Sequence, residues 1–152
     1  MSKIFVSLCM ICLFVCACNN PSPKTGSHSA VEKVKAAADT IIYPSDSDTI
    51  WINIVDGKGT VRIHKKEQQN INLKFSSQDY TQMYGVLSFR DSTANIRFSQ
   101  ITMPNGSMDG PFGKDITYDL KEKGNYRLSV HESLMAGDPW AGDFTVTINL
   151  SK

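Results

Sequence analysis

"DFTVTINL", residues 143–150, decides the fold. Phe144, Val146, Ile148 and Leu150 alternate with Asp143, Thr145, Thr147 and Asn149. Successive side chains of a strand point to opposite faces, so this stretch reads as a strand with one apolar and one wet face. A helix would scatter the same four apolar residues around its circumference. Just upstream, NYRLSVHE at 125–132 repeats the pattern with Tyr126, Leu128 and Val130. Between the two lies SLMAGDPWAG, a loop with two Gly residues, a Pro, Met135 and Trp140, one of two tryptophans in the chain.

Moving outward, the same period recurs. Ile50, Ile52 and Ile54 alternate in DTIWINIVD (48–56), Val61 and Ile63 in GTVRIHK (59–65), and Ile71, Leu73 and Phe75 in NINLKFS (70–76). YGVLSFR (84–90), ANIRFSQITM (94–103) and DITYDL (115–120) complete a set of eight runs. Turn residues separate them: DGKG, KKEQ, DST, PNGSMDGPFG and KEKG. Many short strands at this spacing, with no amphipathic helix among them, predict an all-β, antiparallel β-sandwich, jelly-roll-like, of about eight strands. The domain runs over 39–152, a size one core can fill.

The amino-terminal end has a different character. Lys3 precedes an apolar run from Ile4 to Val15, too short for a spanning helix and typical of a secretory leader. All four cysteines, Cys9, Cys12, Cys16 and Cys18, lie in this end, so the domain has no disulfide framework and no thiolate metal site. Val15-Cys16-Ala17-Cys18 resembles the lipobox of bacterial lipoproteins. That resemblance implies cleavage after residue 17 and lipidation of Cys18, giving a leader at 1–17 and a lipidated cysteine with its tether at 18–38. Two acyl chains suffice for stable membrane anchoring. The tether, opening NNPSPKTGSHSA, is polar and rich in Pro, Ser and Gly, with a reach of about 25 Å. Asn19 after the cysteine, with no acidic cluster behind it, fits the bacterial outer membrane, facing the periplasm.

Charge and motifs narrow the function by exclusion. Sixteen Lys and Arg against 15 Asp and Glu leave a net charge of +1, and no basic stripe is visible. This argues against nucleic acid and against an anionic membrane surface as partner. His28 lies in the tether, His64 at a strand end, and His131 beside Glu132. Neighbours on a strand face opposite ways, so His131 and Glu132 do not meet as a catalytic pair. No nucleophile elbow, zinc-protease helix or phosphate-binding glycine loop occurs, so we expect no enzyme and no cofactor. Asp109, Asp138 and Asp143 are weak calcium candidates, because Asp next to Gly or Pro is also ordinary turn chemistry.

The remaining candidates are apolar side chains in loops. Met103–Gly113 carries Met108 and Phe112; Leu134–Asp143 carries Met135 and Trp140. Loops along the rim of a sandwich are where function is usually placed. Trp140 has two readings: a plug over the open end of the core, or an exposed anchor for a partner.

The succession of KKEQQNINLKFSS (65–77), the Pro-Gly loop leading through KEKG into GNYRLSV (124–130), and the closing FTVTI strand resembles known domains. It is similar to bacterial pre-peptidase C-terminal domains and to periplasmic inhibitors of g-type lysozyme, over about residues 59–150. The resemblance implies a non-catalytic domain that binds a protein or a glycan through its loops. The expected partners are thus the membrane, through the anchor, and an envelope protein bound in an inhibitor-like way. The alternatives are a carbohydrate or peptidoglycan module, or a structural lipoprotein.

Overall fold

The computed structural model describes residues 40–133, 135 and 137–152. The leader, Cys18, the tether and residue 39 lie outside the described residues. Ten strands follow one another: β1 (Ile41–Ile42), β2 (Thr49–Trp51), β3 (Lys58–Lys65), β4 (Ile71–Ser76), β5 (Gln82–Phe89), β6 (Ile96–Thr102), β7 (Met108–Asp109), β8 (Asp115–Asp119), β9 (Asn125–Glu132) and β10 (Gly142–Ser151). They form two five-stranded sheets, ordered β1-β3-β10-β5-β8 and β2-β4-β9-β6-β7.

Strands β3 to β10 alone make two four-stranded antiparallel sheets in jelly-roll order. Almost every connection crosses from one sheet to the other, and only the β6–β7 hairpin stays within its own. The eight runs read from the sequence correspond to β2–β6 and β8–β10. The additions, β1 and β7, have two residues each and offer no period to read.

The expectation of purely antiparallel sheets needs one correction. β1 pairs with β3, and β2 with β4, in parallel. The reason is geometric. Each passage from one sheet to the other reverses the chain, so two passages restore its direction. The strand that lands beside its second successor must therefore run the same way.

The core forms where the alternation says it should. Phe144, Val146 and Ile148 of β10 are buried, as are Tyr126, Leu128 and Val130 of β9 and Ile71, Leu73 and Phe75 of β4. Phe75 stacks on Tyr126 with ring centroids 5.7 Å apart. The Tyr126 hydroxyl donates to the Glu122 carbonyl at 3.0 Å, so the ring is buried with its polar tip satisfied. β6 breaks the alternation: Phe98 and then Ile101 face inward, three positions apart. A register shift between Phe98 and Gln100 takes up the extra residue, as a β-bulge does. The Asp56-Gly57 turn into β3 has positive φ at both residues, 49° and 75°, the conformation for which Asp-Gly is the favoured pair.

Candidate functional site

The most unusual interior lies at one end of the sandwich. On β3 the inward positions run Val61, Ile63, Lys65, and on β9 they run Leu128, Val130, Glu132. Both strands therefore end on a charge inside the protein. Lys65 is 0% exposed and Glu132 4%. The two meet in a buried ion pair, Lys65 Nζ to Glu132 Oε1. Lys65 Nζ also donates to the carbonyls of Lys66 (2.7 Å) and Trp140 (3.3 Å). Glu132 Oε1 also accepts from the backbone N–H of Gln68 (2.8 Å) and of Trp140 (3.4 Å). A buried charge is tolerated when it is paired and its remaining bonding capacity is used. Burial pushes the Lys65 ammonium below its ordinary value, against the pull of Glu132. Burial acts to raise the Glu132 carboxyl, but hydrogen bonds from Lys65 and from backbone N–H groups outweigh it and hold it below the usual range.

This pair is a clamp for the β9–β10 loop, because it grips both the N–H and the carbonyl of Trp140. The ring completes the grip. Trp140 is 7% exposed, lies 6.4 Å from the Phe89 ring, and donates from Nε1 to Asp91 Oδ2 at 2.8 Å. Asp91 also accepts from the Thr93 hydroxyl and N–H. These bonds, Thr93 first and Trp140 second, hold its carboxyl below the usual range. Gly142 makes room for the ring: a Cβ there would meet Trp140 Cζ2 at 2.6 Å. Asn95 ties the loop from the other side, donating from Nδ2 to the Asp138 carbonyl at 2.7 Å. In the same loop Met135 is 100% exposed.

Of the two readings of Trp140, the structure favours the plug. The candidate residues also separate. Met135 and Trp140 share one loop. Met108 does not join them: it pairs with Thr102 on β6, whereas Ile96 at the other end of β6 pairs with Glu132. Six residues of strand put it roughly 20 Å away. Phe112 lies where the chain crosses from one sheet edge to the other, half-buried and edge-on to Tyr118 at 6.1 Å. The two apolar loops are thus not neighbours on one rim. The calcium candidates separate too. Asp143 binds Arg62 (3.3 Å) and His64 (2.7 Å), Asp109 accepts from the Gly110 N–H, and Asp138 is exposed on the loop. Among the described residues no three His, Cys, Asp or Glu gather in a group that could hold a metal.

Beside the plug is an open depression of about 700 Å³, lined by Arg62, Arg90, Asp91, Trp140 and Asp143 among others. His131 and Glu132 face opposite ways as expected, with the His131 ring on the outside against the Glu132 carbonyl at 2.6 Å. The arrangement fastens the loop at Asp138 and Trp140 and leaves Met135 bare, which suits recognition. Sequence reading missed the Lys65–Glu132 clamp, although parity along the two strands marks both residues as inward.

No family model matches the chain, and no curated protein matches it in sequence. Solved structures do. The periplasmic inhibitor of g-type lysozyme from Aeromonas hydrophila superposes with a TM-score of 0.52 at 10% identity, over 74% of this chain and 100% of its own. The corresponding inhibitor from Salmonella Typhimurium gives 0.46 at 13% identity, over 68% and 98%. At such identity the likeness to the Aeromonas structure is one of fold, and it spans that inhibitor's whole length.

Proposed function

We propose that this chain is a lipid-anchored, non-catalytic binding domain of the bacterial cell envelope, which recognises a protein in an inhibitor-like way through the β9–β10 loop. One observation carries the reading: a fully exposed Met135 in a loop whose Asp138–Trp140 end is fastened by a buried ion pair, a Trp plug and two side-chain hydrogen bonds. Fastening one end of a loop lowers the entropy lost on binding, and a bare apolar side chain gains most from being covered. Trp140 serves as the loop's anchor and Met135 as its contact. The shared fold supports the inhibitor reading, and the leader with Cys18 supports the address.

The first partner to test is a g-type lysozyme, since the superposing Aeromonas protein inhibits one. The full-length protein in detergent is added to a lysozyme assay on cell walls. Inhibition is expected, and Met135→Asp should abolish it with stability unchanged to within about 0.5 kcal/mol. An enzyme that is neither bound nor slowed would remove lysozyme as the partner. Inhibition undiminished in Met135→Asp would remove the loop as the contact.

A further inference from the structure

The charges of the two sheets are distributed unequally. On the outer face of the β3–β10–β5 sheet Arg62 is answered by Asp143, which also binds the His64 ring, while the exposed Lys58 has no salt bridge among the described residues. On the outer face of the other sheet no cation of β4, β9 or β6 is answered. Lys74 of β4, Arg127 of β9 and Arg97 of β6 are half-buried, and none takes part in a salt bridge among the described residues. Of the acids on these strands, Glu132 points inward to Lys65 and Asp109 sits at the far edge on β7.

The register makes this arrangement costly. Lys74 and Arg127 are direct cross-strand partners, and like charges facing one another across a ladder are destabilising. Their row runs across the whole sheet as Trp51, Lys74, Arg127, Thr102 and Met108. Lys74 Nζ lies 5.7 Å from the Trp51 ring, and Arg127 spends one bond on the Thr102 hydroxyl at 3.3 Å. The next row is Thr49, Asn72, Ser129 and Gln100, with Asn72 and Ser129 hydrogen-bonded at 3.2 Å. Arg97 pairs with His131 further along; its side chain has no hydrogen-bond partner among the described residues and buries its Nε unpartnered, as does that of Arg127. The ring and the single hydroxyl answer these cations only in part, and no carboxylate inside the molecule does, which points to an anionic group outside it.

From this geometry we propose that the outer face of β4–β9–β6 binds an acidic polysaccharide, one whose sugars carry carboxylates. Charge complementarity demands an anion, and guanidinium groups match carboxylates in shape as well as charge. The choice of a glycan follows from what lies between the cations. A protein docking site concentrates aromatic or aliphatic anchors at its centre. Here the centre is Lys, Arg, Asn, Ser and Thr, and the large apolar residues of the Trp51 row, Trp51 and Met108, stand at its edges. Amide and hydroxyl groups interleaved with cations suit a hydroxyl-rich chain bearing regular negative charge. This site is independent of the β9–β10 loop.

The test titrates the full-length protein in detergent with polygalacturonate, its neutral methyl ester, polyglutamate and duplex DNA. Polygalacturonate is expected to bind, more weakly as salt rises. The methyl ester, and the variant Lys74→Gln/Arg127→Gln with polygalacturonate, should each be at least tenfold weaker. The variant should melt no lower than the parent, since it removes a like-charge pair. If it fails to fold, Arg97→Gln carries the test with the same expected direction. No binding, or binding that the substitutions leave intact, overturns the proposal. Equal affinity for polyglutamate or DNA overturns the choice of a glycan. Met135→Asp should keep polygalacturonate binding and the charge variant should keep any lysozyme inhibition, so the two readings fail separately.

Discussion

At the scale of single residues, Trp140 and the Lys65–Glu132 pair govern the end of the sandwich. Trp140 stood in a loop by sequence, where plug and anchor are equally compatible with its neighbours; only contacts with Phe89, Asp91 and Gly142 distinguish them. Trp140→Ala should therefore cost about 3–5 kcal/mol in denaturant unfolding, the range for a buried Trp emptied to Ala. The ion pair was legible and went unread. Lys65 continues the inward series Val61, Ile63, and Glu132 continues Leu128, Val130. Two opposite charges at inward parity on strand ends are a signal for a buried pair, but Lys65 also opens the polar KKEQ run and reads there as a turn residue. Lys65→Met leaves Glu132 buried and unpaired, so a loss of about 3–5 kcal/mol is expected, and Lys65→Met/Glu132→Leu should recover most of it. The pair also has a pH signature. The folded Glu132 carboxyl lies below its unfolded value, near 4.3, so its stabilisation is complete above that pH and is lost as pH falls through the folded value. Acid unfolding curves should show this loss in the parent protein, and a shallower acid limb in Glu132→Gln.

At the scale of elements, alternation located eight strands because a two-residue period needs four or five residues to declare itself. β1 and β7 are two residues long and could not. The bulge in β6 was visible as a three-residue step between Phe98 and Ile101, and the Asp56-Gly57 turn carried its own chemistry. Strand partners were not visible. Which strands lie side by side depends on chain crossings between sheets, and the parallel edges follow from those crossings. The β9–β10 loop shows how one element depends on a neighbour's smallness. Gly142 opens β10 directly under the Trp140 ring, and a methyl group there meets the ring at 2.6 Å. Gly142→Ala should unseat the plug while leaving β10 in place. In a Trp51→Phe background the remaining Trp140 emission should shift to the red and quench more readily, with the far-ultraviolet dichroism unchanged. An unshifted emission would mean that the loop absorbs the methyl group without releasing the ring.

At the scale of the whole molecule, composition concealed what the fold assembles. A net charge of +1 and cations scattered through the sequence gave no basic stripe. Lys74, Arg97 and Arg127 sit on three different strands, and come onto one face only when β4, β9 and β6 are laid side by side, Lys74 and Arg127 as direct partners. The two proposed recognition surfaces are thus separate, the β9–β10 loop at one end and a sheet face on one side. Under the proposed function, Cys18 keeps the domain where its partners are. An acylated cysteine holds a chain to a bilayer through about 0.8 kcal/mol per buried CH₂. Cys18→Ala should therefore shift the protein from the membrane to the soluble fraction and abolish incorporation of a clickable palmitate analogue. Its polygalacturonate affinity and any lysozyme inhibition should be unchanged in solution. A variant that stays with the membrane and still takes up the label would place the acyl chain on another residue. One that stays without the label would show that the domain is held by its own surface instead.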